Sequence, residues 1–133
     1  MLLTMLSATV LFGQTKVYPD KIPNVSFCNA VNLNDTIKYS DLVKCDEVMQ
    51  PYKELKIKSF TFSFLVPPSD GKGESLFMDY ANAGGKLNIQ ILDMLKTFEA
   101  KKVKKILIEE VKVLEADGKT ERKMKGININ LIN

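Results

Sequence analysis

Two stretches of the chain alternate apolar and polar residues and then change phase. In LKIKSFTFSFLV, Leu55 to Val66, Leu55 and Ile57 share one parity and Phe60, Phe62, Phe64 and Val66 the other, with Lys58 and Ser59 at the change. Strand side chains switch faces with period two. The slip would therefore turn the apolar row outward unless a β-bulge absorbs one residue. The same slip recurs in KKILIEEVKVL, where Ile106 and Ile108 share a parity, Glu109 and Glu110 interrupt, and Val111 and Val113 resume on the other. The repetition predicts two bulged strands that bend one sheet as neighbours.

The remaining elements follow from turn residues and helical spacing. Pro19 and Pro23 make KVYPDKIPNVSF extended, a linker or edge strand. Val25 and Phe27 alternate toward Cys28, and Asn32, Asn34 and Asp35 mark turns. Ser40 can cap a short helix DLVKCDEV, with Leu42, Cys45 and Val48 or Met49 on one face and Pro51 ending it. The most emphatic turn is PPSDGKGE over 67–74, followed by Leu76, Met78 and Tyr80 as the alternating partner strand of a hairpin with the Phe-rich one. Ala81 to Gly85 breaks that pattern. From Asn88 as N-cap, Ile91 or Leu92, Leu95 and Phe98 predict an amphipathic helix ending near Lys101, whose lysines suit the helix dipole. Asp117-Gly118 predicts a hairpin turn, and Ile127, Ile129 and Leu131 a terminal strand, with Gly126 as a further bulge. The class is mainly β (α+β), with one or two short inserted helices.

Composition narrows the function more than it names it. The 133 residues are 45% hydrophobic and 26% charged, the balance of an ordinary globular domain. A net charge of +3 is too mild to argue for nucleic acid. Histidine is absent, which removes the commonest neutral-pH base and metal ligand. No metal site, cofactor or enzyme is expected. The first fourteen residues carry no charge and are too few to span a bilayer, so 1–14 reads as the apolar part of a signal peptide, shortened at its start, and 15–32 as an extended segment. No stable membrane span is expected in the mature chain, which would be periplasmic or secreted.

Cys28 and Cys45 form an even pair, which in an exported chain favours a disulfide over separate buried thiols. SDGKGES lacks the spacing of a phosphate loop and the acidic oxygens of an EF-hand. Glu109 and Glu110, as strand neighbours, point to opposite faces and cannot converge on one substrate. The basic run Lys101 to Lys105 reads as a solvated helix end entering an edge strand, where lysines discourage edge-to-edge pairing. Asp70 and Lys72 in the long turn, with Lys104 and Lys105 in the basic run, are the candidate partner-binding residues.

From about Leu33 to Asn133 the order of features resembles the C-terminal periplasmic domain of GldM, the gliding-motility and type IX secretion protein of Bacteroidetes. IKYSDLV, KIKSFTFSF, ANAGGKLNIQILDML and KKILIEEVKVLEADGKTERKMKGININLI carry the resemblance. It implies an immunoglobulin-like β-sandwich variant over 33–133, serving as a protein-binding and dimerising module. The expected role is an exported relative that binds an envelope protein, with a homodimer as one form, and not a motor shaft. The competing expectation is a small secreted inhibitor or ligand-binding protein that presents the 67–74 loop.

Overall fold

The structure, a computed structural model, describes residues 25–31 and 35–133. The elements in order are β1 (Ser26–Phe27), β2 (Asp35–Lys38), α1 (Tyr39–Leu42), β3 (Val48–Met49), β4 (Lys56–Val66), β5 (Leu76–Ala83), α2 (Ile89–Leu95), β6 (Lys105–Leu114), β7 (Glu121–Met124) and β8 (Ile127–Ile132). A six-stranded sheet runs β2-β8-β6-β4-β5, with β7 also on β6, and β1 and β3 form a separate two-stranded ribbon. All pairings are antiparallel except β2 with β8. This is a mixed fold in which a β-sheet dominates and the helices are short.

Both phase slips are irregularities of one strand pair. Between β4 and β6, Thr61 lies opposite Glu109 but Ser59 opposite Lys112, so β6 carries an extra residue. Ile57 then lies opposite Val113, so β4 carries the compensating extra residue at Lys58. Glu110 adopts φ 50°, the left-handed conformation that lets β6 absorb its extra residue. Here β6 also changes partner, from β8 opposite Lys105–Ile108 to β7 opposite Val111–Leu114. Gly126, between β7 and β8, lies so near the Ile108 carbonyl that a Cβ would overlap it. Glycine is required by this close approach.

The bulges keep the apolar residues on one face. Phe60, Phe62, Phe64, Ile106, Ile108, Val111, Val113, Ile127, Ile129 and Leu131 are all buried. Phe98, beyond α2, meets Phe64 at 4.6 Å and Phe62 at 6.5 Å between ring centroids, and Phe27 of β1 meets Phe62 edge-on at 6.2 Å. Burying each such ring contributes about 1.5–3 kcal/mol. The covering layer is tied down by polar contacts. The Tyr39 hydroxyl donates to the Val103 carbonyl at 2.6 Å, and the Asn82 side chain, itself buried, donates to the Lys86 carbonyl and accepts from the Asn88 amide. Leu65, Phe77 and Leu107, on the opposite parity, take no part in this core.

Several expectations are corrected. DLVKCDEV is not a helix: α1 is one turn that starts at Tyr39, Lys38 occupies the N-cap without a side-chain bond, and Val48–Met49 is a strand. The Val48 amide donates to the Gly85 carbonyl, so pairing with the 84–87 segment wins over helical spacing. Asp35 lies in β2 and not in a turn, and β5 continues through Ala83. α2 ends at Leu95 and passes into turns, although Phe98 still points into the core. The basic run does not enter an edge strand, because β6 lies between β8 and β4 in the interior of the sheet. The expected signal peptide over 1–14, Pro19, Pro23, Asn32 and Asn34 lie outside the described residues.

Candidate functional site

The β4–β5 hairpin projects its turn end past the apolar core. Its last pair is Val66 with Leu76, after which Pro67 and Pro68 prevent further ladder bonding through their missing N–H groups. Gly71 and Gly73 turn the chain at φ 73° and 85°, while the Gly71 amide donates to the Pro68 carbonyl. The Asp70 carboxylate accepts from the Lys72 amide at 2.8 Å and so serves the turn itself.

β5 is an edge strand, and its two halves differ. In the upper half the Asn88 side-chain amide donates to the Ala81 carbonyl at 3.2 Å, closing the edge with the same residue that caps α2 through the Ile91 amide. In the lower half Leu76, Phe77 and Met78 are 68%, 55% and 40% exposed. Three consecutive large apolar side chains are thus exposed on an edge where, among the described residues, no strand pairs. Monomeric proteins ordinarily blunt such edges with charge, proline or a covering loop.

Beside this edge lies a groove of about 370 Å³, formed on the core face of the hairpin by Phe64, Val66, Leu76, Met78 and Met94, with Pro67 and Pro68 at its end. Glu74 and Lys101 stand at its margin. An adjoining hollow of about 560 Å³ extends between the hairpin turn and Ala100, Lys101 and Lys102. The placement of those lysines follows from the turn after α2. Phe98 and Val103 are fully buried and the Val103 amide donates to the Phe98 carbonyl, so the intervening residues are pushed outward. Lys102 takes φ 58° to make the turn.

The candidate residues of the sequence meet only in part. The turn bearing Asp70 and Lys72 lies at the same end of the sheet as Lys104 and Lys105, because Phe64 pairs with Ile106 as Val66 pairs with Leu76. Lys104, however, stands over the Tyr39 ring at 6.0 Å, and Lys105 is half-buried opposite Asn130. Of the basic run, Lys101 borders the groove and, with Lys102, the adjoining hollow. Leu76 and Met78, expected with Tyr80 in an alternating strand row, are exposed here, and Phe77 on the other parity is exposed as well. The adjacent prolines and glycines, which end the hairpin ladder abruptly, were the available signal.

Cys28 and Cys45 are joined by a disulfide with a Cα–Cα distance of 5.5 Å. It links the turn after β1 to the segment between α1 and β3, on the covering layer and away from the groove. Asp117 and Glu121, whose carboxyls are held below the usual carboxylate range, belong to the β6–β7 hairpin. Among the described residues there is no group of three or more histidine, cysteine, aspartate or glutamate side chains able to hold a metal, and no helix long and apolar enough to cross a membrane. No protein-family model matches the chain, and no curated protein matches it.

Proposed function

We propose that this chain is an exported, noncatalytic interaction module that receives a partner protein on the lower half of β5. The observation that carries this reading is the run Leu76–Met78, exposed on an unpaired edge beside an apolar groove. Edge strands of this kind bind by strand addition, in which main-chain hydrogen bonds supply affinity and alternate side chains supply specificity. The resemblance to the GldM C-terminal domain supports the same reading and adds a setting: a periplasmic or secreted protein with an envelope partner in gliding motility or type IX secretion. On that resemblance the fold would be an immunoglobulin-like β-sandwich variant.

The test is site-specific photocrosslinking in the native host. A photoreactive aromatic residue at Phe77 is expected to give a discrete adduct with one envelope protein, absent when the same residue replaces Lys119 in the exposed turn at the other end of β6. No adduct at Phe77, or the same adducts from both positions, would sink the proposal.

A second reading, a small secreted inhibitor or ligand-binding protein that presents the 67–74 loop, is favoured by the part Pro67, Pro68, Ser69 and Gly71 play in walling the two hollows. Replacing 67–74 with an unrelated loop of equal length separates the two. The Phe77 adduct survives the swap if β5 carries the affinity and disappears if the loop does.

A further inference from the structure

We infer that the Cys28–Cys45 disulfide is a redox latch: reduction by a dithiol frees residues 25–31, which carry β1 and its turn, and leaves α1, β3 and the six-stranded sheet in place. The latch lies on the covering layer and acts whether or not the β5 edge takes a partner.

The two ends of the bond are held very differently. Cys45 belongs to a segment fixed by backbone bonds on both sides. Its own amide donates to the Leu42 carbonyl, the Asp46 carbonyl accepts from the Leu87 amide, and the Val48 amide donates to the Gly85 carbonyl. This end is thereby fastened to the chain between β5 and α2. Cys28 has less support. It is the first of two residues in a tight turn closed by reciprocal bonds between Phe27 and Ala30, at 3.0 and 2.9 Å, and β1 offers only two residues to β3. Beyond these, the Val25 amide donates to the Lys125 carbonyl at 3.3 Å and the Val31 amide to the Asp35 carboxylate at 2.8 Å.

The turn is also strained. Cys28 has φ 55°, a conformation that suits glycine and is unfavourable for a residue with a Cβ. A residue persists there only where its surroundings hold it, and the bond to Cys45 is the covalent part of that hold. Once the bond is cut, the buried side chains of Val25, Phe27 and Ala30 oppose release with few polar contacts to help them. The sheet beneath does not depend on this piece. Phe62, which Phe27 meets edge-on, also packs against Phe64 at 6.4 Å and Phe98 at 6.5 Å, and β4 is paired on both sides by β5 and β6.

Both cysteines are half-buried, so a small dithiol can reach the bond. One thiolate of the dithiol attacks one sulfur and forms a mixed disulfide, releasing the other cysteine as a thiolate. The second thiol of the reductant then displaces the first cysteine. The dithiol ends as a disulfide, and its two protons end on Cys28 and Cys45 as thiols.

Amide hydrogen exchange on the full chain, oxidised and then reduced with dithiothreitol, tests the latch. The exchange rates of Phe27 and Ala30 relative to that of Val48 are expected to rise about a hundredfold on reduction, with the far-ultraviolet circular dichroism unchanged. An unchanged ratio would overturn the inference, since the bond would then act equally on both of its ends or on neither. Loss of the native circular dichroism would overturn it as well, by making the bond a staple of the whole domain. Two variants that cannot cross-link isolate the strain. Cys28→Ala, Cys45→Ala should raise the ratio about fivefold more than Cys28→Gly, Cys45→Ala, because glycine accepts the turn conformation. Equal ratios would overturn the part assigned to the Cys28 backbone.

Discussion

Glu121 and Asp117 show how single side chains hold the far end of the sheet. The Lys58 ammonium at the β4 bulge reaches over β6 to the Glu121 carboxylate, and this hydrogen bond, followed by the charge of Lys58, holds the Glu121 pKa low. The Asp117 carboxyl is lowered by the Thr120 hydroxyl first, and then by the Thr120 and Lys119 amides. A carboxyl whose folded pKa lies below its unfolded value contributes stability that is present above the unfolded pKa and lost as pH falls through the folded one. The melting temperature should therefore drop between neutral pH and about pH 3, where ordinary aspartates protonate. Calorimetry on Asp117→Asn should show a smaller drop than the parent, and an identical pH profile would count against the turn's dependence on this carboxylate. Asp117-Gly118 was legible as a turn from two letters of sequence. The partnership of Lys58 with Glu121 was not, because 63 residues separate them.

At the scale of elements, the paired bulges decide the path of the sheet. The extra residue in β6 and its counterpart in β4 return both strands to register, and β6 uses the same point to exchange β8 for β7. Gly126 must pass the Ile108 carbonyl for that exchange to occur. Gly126→Ala is expected to destabilise the protein by about 1–3 kcal/mol, read as a lower urea midpoint at unchanged slope, because the added methyl group has no space to occupy. A variant as stable as the parent would mean that β7 and β8 are not held together through this contact. The slips were visible as parity changes because each leaves a pair of polar residues inside an apolar row. The helix read into DLVKCDEV failed for the opposite reason: apolar residues at Leu42, Cys45 and Val48 fit a helical face, but pairing of Val48 with Gly85 and the Cys28 bond impose other conformations. α2 was placed correctly at its start, since Asn88 caps it by a local bond, and too long at its end, since tertiary packing of Phe98 and Val103 bends the chain before Lys101.

For the whole molecule, the core depends on a covering layer built from short pieces. β1 and β3 have two residues each and α1 has four, too few to persist alone. The Cys28–Cys45 disulfide closes a loop with a sequence separation of 17 and fastens β1 beside the α1–β3 segment. Reduction is expected to lower stability by about 3 kcal/mol. Denaturation with and without reductant, together with a free-thiol assay, checks it, and equal midpoints after complete reduction would assign the cross-link no part in holding the layer.

The sequence by itself determined which residues could face a core: the Phe row of β4, the Ile and Val rows of β6, the Ile127–Leu131 strand and the Asn88-capped start of α2. These are set by period-two alternation and by capping and turn bonds that act over a few residues. Only the tertiary structure decided that β6 is central and β5 an edge, that Lys101 and not Lys104 or Lys105 borders the groove, and that Leu76, Phe77 and Met78 remain exposed. The physical reason is that alternation states how a strand divides its faces but not which strands lie beside it. The order of strands in the sheet arises from contacts between residues far apart in the chain, and it is this order that leaves the apolar edge of β5 unpaired among the described residues.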